Sequence, residues 1–500
     1  MKNKTKSIKN LIWLVTSQVI TIAFGLIIPR LFVEGYGSEV NGLIQSLNQI
    51  IVYLMLFESG IGAVSMQALY GPIARGEWKD INAVLSATNR YYKKMGGWYF
   101  ATLAALSLVY PLIVRSSLGY FTVMGCVFFS GIGNVIMFIV QGKYKVLLEA
   151  DGKNYIIARL TTMLNVLTNI AKVTLLALGW NIILILISHF LVQILHAAVY
   201  HWYVKKNYKQ LDLTVTPDFL AISQKNYMLV HQISNLIFQN TDVLILTVVC
   251  GLKVVSVYSM FKLVTTYLDQ MLTTITGSFS FILGQTFQTD RNKFIAYIDA
   301  FDSIYGAIGF SLYSVAFFLM LPFIRLYTEG VTDANYNDGN LPILFVAIAL
   351  LTIMRTPMLY TINYAGHFKE TVPQTIVEAV INVTLSLVGV HLFGIYGVLL
   401  GTVGALLYRT NDVIIYSNVK ILKRSPKTTY LIHLVNIAML CVCVILYSLI
   451  FTRFDSYLWL VIAGAGCCAI GIPLFLLAQL AVFKHTRAIV VPIVKKILRR

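Results

Sequence analysis

The chain has 500 residues, of which 58% are hydrophobic and only 12% are charged, whereas a soluble domain carries roughly 25% charged residues. The mean hydropathy of +0.75 excludes an ordinary soluble enzyme or binding module. A net charge of +18 suggests nucleic acid in a soluble protein, but here most basic residues lie between apolar stretches, so no nucleic-acid partner is expected.

About fourteen apolar stretches are long enough to cross a bilayer, for which about 20 residues suffice. In chain order they cover residues 11–33, 40–69, 97–114, 118–141, 156–179, 181–204, 227–250, 255–284, 303–325, 341–362, 371–393, 394–416, 430–452 and 457–483. The first run is too long for the apolar part of a signal peptide. The sequence therefore predicts an all-α polytopic membrane protein in which each stretch is a transmembrane helix.

The basic residues are distributed asymmetrically about these spans. With the amino terminus placed in the cytoplasm, 30 of the 39 Lys and Arg fall on inner segments. Only five fall on outer segments, namely Arg30, Arg115, Lys253, Arg325 and Arg453. Cytoplasmic loops of membrane proteins carry such an excess of positive charge, so both termini are predicted to be cytoplasmic.

The loop pattern of the first six spans recurs in the next six. A shift of 214 residues aligns Gly37 with Gly251 and Gly152 with Gly366. Repeats of the same orientation give two lobes related by a pseudo-twofold axis along the membrane normal. We predict six-helix lobes at residues 1–210 and 211–425. Residues 426–500 then hold helices 13 and 14 and a basic cytoplasmic tail.

Polar and charged residues inside the spans are the candidate site residues, because an ionised side chain in hydrocarbon needs a polar cavity or a partner. The cations predicted to bind an anionic substrate are Arg30, Lys172, Lys262, Arg355, Arg159 and Arg409. Polar residues at helical spacing are predicted to face a common cavity, namely Asn41, Gln45, Asn48, Asn165, Asn169, His231, Asn235 and Gln239. The candidates for ion coupling are Glu58, Asp242, Asp269 and Glu378.

Several of these residues have a structural alternative. Lys262 with Asp269, and Arg409 with Asp412, can each be an ion pair within one helix. Glu58 is either a protonatable coupling site or a carboxyl that donates a hydrogen bond across a helix contact.

Metal and cofactor sites are not expected. His189, Gln193 and His196 share a helix face, where polar packing is favoured over metal binding, and the six cysteines lack metal-ligand spacing. No nucleotide-binding or HExxH motif is present, so transport energy is expected from an ion gradient, the membrane potential or substrate flux.

The stretch from Pro29 to Lys94 reads PRLFVEGYGSEVNGLIQSLNQIIVYLMLFESGIGAVSMQALYGPIARGEWKDINAVLSATNRYYKK. It resembles the first helical hairpin and inner loop of bacterial polysaccharide flippases, which belong to the multidrug, oligosaccharidyl-lipid and polysaccharide exporter superfamily. The layout of six, six and two helices is similar over nearly the whole chain.

This resemblance implies a V-shaped, two-lobe carrier in the bacterial cytoplasmic membrane. Its implied substrate is undecaprenyl-diphosphate-linked oligosaccharide, which it moves from the inner to the outer leaflet by alternating access for O-antigen, capsule or exopolysaccharide assembly. H⁺ or Na⁺ is the expected coupling ion, and a polysaccharide polymerase and a chain-length protein are the expected partners besides membrane lipids.

Three rival functions stay open. A peptidoglycan-precursor flippase and a cation-coupled drug exporter belong to the same superfamily, although an exporter would favour acids and aromatics in its cavity. A membrane polymerase or acyltransferase is the rival from another class. A polymerase would be expected to have a large outer loop, whereas the longest outer segment here, Leu326 to Asn340, is short and acidic. The protein is therefore expected not to be an enzyme.

Overall fold

A computed structural model describes residues 2–58, 61–114, 116–222, 240–452, 454–484, 486–490 and 492. Within these ranges every regular element is a helix, in agreement with the predicted all-α class. Eleven of the described helices are long and apolar enough to cross a membrane. The chain is accordingly a multi-pass membrane protein.

The helices follow one another in the order α1 Lys2–Leu54, α2 Ile61–Arg75, α3 Trp78–Ile113, α4 Tyr120–Ile136, α5 Gly142–Ala150, α6 Asn154–Ala177, α7 Ile182–Asn207, α8 Asn240–Val249, α9 Leu252–Thr289, α10 Arg291–Tyr327, α11 Leu341–Ala365, α12 Phe368–Phe393, α13 Ile395–Tyr416, α14 Lys427–Ile450 and α15 Tyr457–Val482. Short 3₁₀ turns lie at Met55–Glu58 and Leu220–Ile222, and single π-helical turns at Met137–Gln141 and Ser417–Ile421.

The first predicted span, residues 11–33, lies within α1. The second, residues 40–69, begins in α1 and runs past its end. Gly37 divides that helix, since its φ of 83° and ψ of 171° are not helical. The second predicted span is not one continuous helix, because a 3₁₀ turn follows Leu54 and α2 begins only at Ile61.

The polar segment from Trp78 to Gly97 forms the first half of α3, continuous with the third predicted span, residues 97–114. At 1.5 Å per residue α3 is about 54 Å long, and it extends well beyond a hydrocarbon core of about 30 Å.

The predicted count of fourteen spans stays a prediction. Most of the seventh span, residues 227–250, lies outside the described residues, and only its last part is seen as α8. Helix α9, which contains Lys262 and Asp269, is not among the eleven apolar helices.

The chain divides into two compact units, Met1–Ser256 and Val257–Arg500. In the first unit α3 packs against α4, α4 packs against α7, and α6 lies against both α1 and α7. Its apolar core contains Leu43, Tyr92 and Phe138, each almost fully buried. The predicted lobe boundaries at residues 210 and 425 stay predictions.

The chain that follows α7 is held against α3. Asn82 donates from Nδ2 to the carbonyl oxygen of Gln210 at 3.0 Å, and Ser86 donates from Oγ to the carbonyl oxygen of Val215 at 3.0 Å. Between the end of α7 at Asn207 and the 3₁₀ turn at Leu220 the chain has no helix. Side chains of α3 provide hydrogen bonds for its backbone carbonyl groups.

In the second unit α10 packs against α11, α14 and α15, and α12 packs closely against α13. The α12–α13 contact depends on two glycines, because a Cβ atom on Gly397 would lie 1.9 Å from the carbonyl oxygen of Gly389. Any larger residue at Gly397 would push the two helices apart.

The glycines aligned by the 214-residue shift have similar φ angles. The φ angles are 83° at Gly37 and 86° at Gly251, and 69° at Gly152 and 71° at Gly366. Glycine adopts positive φ without the steric cost that other residues meet, so the two halves of the sequence place helix ends at corresponding residues.

Candidate functional site

The six predicted substrate cations differ in whether a carboxylate neutralises them. Arg30, Arg355 and Arg409 each form a salt bridge. No salt bridge joins Lys172, Lys262 or Arg159 to any of the 21 acidic residues of the chain, all of which lie in the described ranges. Three of the six predicted cations therefore have a carboxylate partner within the protein, and the other three form no such salt bridge.

Lys172 belongs to a polar face of α6 in the first unit. Asn165, Asn169 and Lys172 follow one another at helical spacing, with Asn165 exposed and the other two half-buried. Helix α7 packs against α6 and places its His189 within electrostatic range of Lys172. The Nδ1 atom of His189 is buried and makes no hydrogen bond to the described residues. The face joins a cation, amides and an imidazole.

Lys262 in α9 is half-buried, and Arg159 near the start of α6 is exposed. Asp269, two turns after Lys262, accepts a hydrogen bond at 2.6 Å from the hydroxyl of Tyr313 in α10. No salt bridge joins Lys262 to Asp269, so the alternative of a direct ion pair is not seen at this place.

Four charges form a network between α11, α12 and α13. Arg355 contacts Glu378 at 2.6 Å, and the Nε atom of Arg409 lies 3.4 Å from the other carboxylate oxygen of Glu378. Arg409 also pairs with Asp412 and donates to Thr375 at 3.1 Å. Two arginines and two acids sum to zero charge, and the side chains of Glu378 and Arg409 are only 7% and 5% exposed. The role of these two arginines and of Glu378 in transport stays a prediction.

Arg30 contacts Glu34 one turn further along α1, with 2.6 Å between the guanidinium and the carboxylate. Both side chains are partly exposed, so solvent weakens this pair.

The remaining predicted acids differ in burial. Glu58 accepts a long hydrogen bond of 3.3 Å from Tyr92, whereas Asp242 in α8 is buried. Their roles in ion coupling, like that of Asp269, stay predictions.

The predicted polar residues of α1 have different surroundings. Asn41 is fully buried and donates to the hydroxyl of Ser256 at 2.7 Å. Gln45 is half-buried and Asn48 is exposed. The predicted residues His231, Asn235 and Gln239 lie outside the described residues.

One buried polar cluster was missed by the sequence analysis. Asp302 of α10 and His433 of α14 are 0% and 1% exposed, with 3.8 Å between a carboxylate oxygen and Nε2. The predicted ninth span began at residue 303, which placed Asp302 in a loop. In the sequence, Asp302 and Gly306 are four residues apart and His433 and Asn436 are three apart, so each pair shares a helix face. This spacing could have revealed the cluster.

Outside the membrane helices, the turn between α5 and α6 carries an ion pair. Asp151 contacts Lys153 at 2.8 Å and accepts from the hydroxyl of Tyr208 at 2.5 Å. Partial burial raises the pKa of Asp151, but the bonds from Lys153 and Tyr208 outweigh it and hold that pKa below its usual range. Burial and the bond to Asp151 raise the pKa of Tyr208 to about 12.

The fold is shared with solved structures of a lipid flippase and of a multidrug transporter. The lipid II flippase MurJ, in an inward closed conformation, aligns with a TM-score of 0.69 at 14% identity, covering 93% of this chain and 98% of that one. An inward-facing multidrug resistance MATE family transporter aligns with a TM-score of 0.63 at 16% identity, covering 81% of this chain and 95% of that one. No protein-family model and no curated protein sequence matches the chain.

Proposed function

We propose that the protein is a flippase that moves undecaprenyl-diphosphate-linked oligosaccharide from the inner to the outer leaflet of the bacterial cytoplasmic membrane. It works by alternating access, has both termini in the cytoplasm, and serves O-antigen, capsule or exopolysaccharide assembly beside a polymerase and a chain-length protein. The fold shared with flippases and exporters supports this proposal, as does the excess of basic residues on the predicted inner segments.

The observation that carries the proposal is Lys172 on the polar face of α6. A membrane-embedded ammonium is stable only beside an anion or a polar cavity, and none of the acidic side chains, all of which are described, forms a salt bridge with it. A diphosphate supplies the missing negative charge, and lysine binds phosphate oxygens as a point charge. Lys172 is the eighteenth residue after the start of α6, which puts it about 27 Å along that helix.

The neighbouring amides fit the rest of the substrate. Asn165 and Asn169 each carry a carbonyl oxygen and an amide NH₂, and sugar hydroxyls both donate and accept hydrogen bonds. A drug exporter would need apolar or acidic groups here instead. The polar face therefore favours a glycosylated anion over a lipophilic cation.

A peptidoglycan-precursor flippase is the second candidate. The likeness to the lipid II flippase covers nearly all of both chains. The two candidates differ only in the sugar and peptide that the cavity accepts.

Complementation separates these candidates. In a strain that lacks its polysaccharide flippase, the chain is expected to restore surface polysaccharide and to abolish the accumulation of lipid-linked repeat units on the cytoplasmic side. In a strain depleted of its lipid II flippase it is expected not to restore growth. Rescue of only the second strain would overturn the oligosaccharide assignment in favour of the peptidoglycan precursor.

The Lys172→Ala variant tests the site within the same strain. Loss of a hydrogen bond to a charged group costs about 1.5–3 kcal/mol, so transport is expected to fall roughly tenfold or more at unchanged protein level. Lys172→Arg is expected to retain part of the activity because the charge persists. Lys206→Ala removes a lysine that lies over the ring of Trp202, and this matched control is expected to transport normally. Normal transport by Lys172→Ala would contradict the proposal.

A further inference from the structure

Three helices of the second unit bring four polar side chains into one buried cluster. Asp302 comes from α10, His433 and Asn436 come from α14, and Gln479 comes from α15. Each is at most 1% exposed. Helix α10 makes room for the cluster at Gly306, where a Cβ atom would lie 2.7 Å from Nδ2 of Asn436.

The hydrogen bonds of this cluster are incomplete. Gln479 donates from Nε2 to the Oδ1 atom of Asn436 at 2.8 Å and to the carbonyl oxygen of Ile432 at 3.0 Å. The other amide atoms, Oε1 of Gln479 and Nδ2 of Asn436, have no partner among the described residues. The same holds for both carboxylate oxygens of Asp302. The gap of 3.8 Å to Nε2 of His433 is too long for a hydrogen bond.

The other charged groups on the helices around Asp302 are paired, hydrogen-bonded or exposed. Asp269 of α9 accepts a hydrogen bond from Tyr313, and Lys427 of α14 is exposed. Asp299, one turn earlier on α10, accepts two bonds of 2.6 Å from Arg424. Helix α15 has no charged residue, and the only one on α11, Arg355, contacts Glu378. The segment after α15 contacts α10 through Ser303 and Thr486, while its Lys484 and Arg487 are exposed. Among the described residues, His433 is thus the basic group placed to balance Asp302.

A fully buried carboxylate without hydrogen bonds is very costly, and a protein relieves this cost most simply by protonating the group. We propose that Asp302 and His433 bind one proton between them and that this proton is the coupling ion of transport. The coupling part rests on the proposed flippase function, whereas the proton site does not. Closure of the gap gives either a carboxylic acid that donates to Nε2 or an imidazolium that donates to the carboxylate. Both forms are neutral overall.

Release of the proton leaves a carboxylate beside a neutral imidazole, with one net negative charge in the interior. That charge requires water or a new donor, so α10, α14 and α15 must repack when the proton leaves. Uptake and release therefore distinguish two packings of these three helices, which is what coupling to a proton gradient requires.

The side chains favour a proton over a metal cation. A sodium ion needs a shell of oxygen ligands, but the cluster mixes unpartnered oxygens with the Asn436 amide nitrogen and an imidazole. Among the described residues no group of three His, Cys, Asp or Glu is placed to hold a metal ion. One added proton, by contrast, supplies the donor that Asp302 lacks.

Infrared difference spectroscopy of the purified full chain tests the site without any substrate. The wild type is expected to show the carbonyl stretch of a protonated carboxylic acid or, after proton transfer, imidazolium bands that titrate together with one carboxylate. Asp302→Asn is expected to lose this signal, and His433→Gln to leave only the carboxylic acid form. Ser303→Ala, at the adjacent buried residue, is the control and should keep the wild-type spectrum. A spectrum unchanged in Asp302→Asn would overturn the site, as would thermal stabilisation by Na⁺ that requires Asp302.

Transport into vesicles with an imposed pH gradient tests the coupling. Wild-type transport of lipid-linked oligosaccharide is expected to respond to the gradient, and both Asp302→Asn and His433→Gln to lose that response. A retained response in Asp302→Asn would overturn the coupling. If the wild type moves no such lipid but shows the infrared signal, the proposed function fails and the proton site stands.

Discussion

At the scale of single residues, the decisive difference is between cations with and without an internal counter-charge. The Arg355 and Arg409 guanidinium groups share Glu378, and that network links three consecutive helices. Sequence analysis marked each member as a charge inside a span, but spacing along the chain cannot reveal a contact between α11 and α12. It did allow the pair Arg409 and Asp412, because the two residues lie on one helix.

The Glu378→Gln variant is expected to destabilise the protein. It removes the carboxylate that neutralises the buried Arg409 and the half-buried Arg355, and breaking a buried pair on one side costs about 3–5 kcal/mol. Thermal unfolding in detergent measures the loss. Lys262→Met, which removes a cation without a salt bridge, is the matched control and is expected to unfold near the wild-type temperature. Equal stability of Glu378→Gln and the wild type would show that the network contributes nothing.

The Asp151 pair predicts a pH dependence outside the membrane. Because the pKa of Asp151 is lowered in the folded protein, its contribution is present above its ordinary pKa and is lost as the pH falls through the folded value. Asp151→Asn is expected to lower the free energy of unfolding by about 1 kcal/mol at pH 7. The difference from the wild type should shrink below about pH 4. The exposed Asp455→Asn control should show no such change, and a constant difference for Asp151→Asn across this range would contradict the account.

At the scale of elements, the sequence predicted which segments are helical better than where helices are continuous. Apolar length located α4, α6, α7 and α10 to α15 within a few residues, apart from the amino-terminal extension of α10. The extension of α3 was missed because its first turns are polar and rest against Gln210 and Val215, a contact with chain more than a hundred residues away. The break after Leu54 was missed because the apolar stretches on either side of Glu58 were taken as one span.

The sequence analysis aligned Gly152 with Gly366. A substitution at Gly366 tests directly whether glycine is required at this helix end. It ends α11 with a φ of 71°, a left-handed conformation that costs an L-residue about 1–2 kcal/mol. Gly366→Ala is expected to lower the unfolding temperature, and Gly152→Ala to do the same, since its φ is 69°. Gly97→Ala, in open space on α3, is expected to be neutral or slightly stabilising. Loss of stability at Gly97 but not at Gly366 would contradict this reading.

At the scale of the whole molecule, the distribution of basic residues predicts the orientation in the membrane. Single cysteines introduced near Lys209 and Lys423 are expected to be shielded from impermeant thiol reagents in intact cells, while one near Asn337 should react. All three positions are exposed in the structure, so burial does not account for shielding. The exposed Cys441 must first be replaced to remove background labelling. The opposite labelling pattern would invert the topology.

The most direct test of the flippase assignment is transport by the purified chain in vesicles that contain undecaprenyl-diphosphate-linked oligosaccharide. The fraction of lipid whose sugar is accessible on each side is measured over time. The account predicts that the wild type equilibrates the lipid across the bilayer, that Lys172→Ala does so roughly tenfold more slowly or worse, and that Lys206→Ala equals the wild type. Failure of the wild type to move this lipid, with the MurJ-type peptidoglycan precursor or a cationic drug transported instead, would contradict the account.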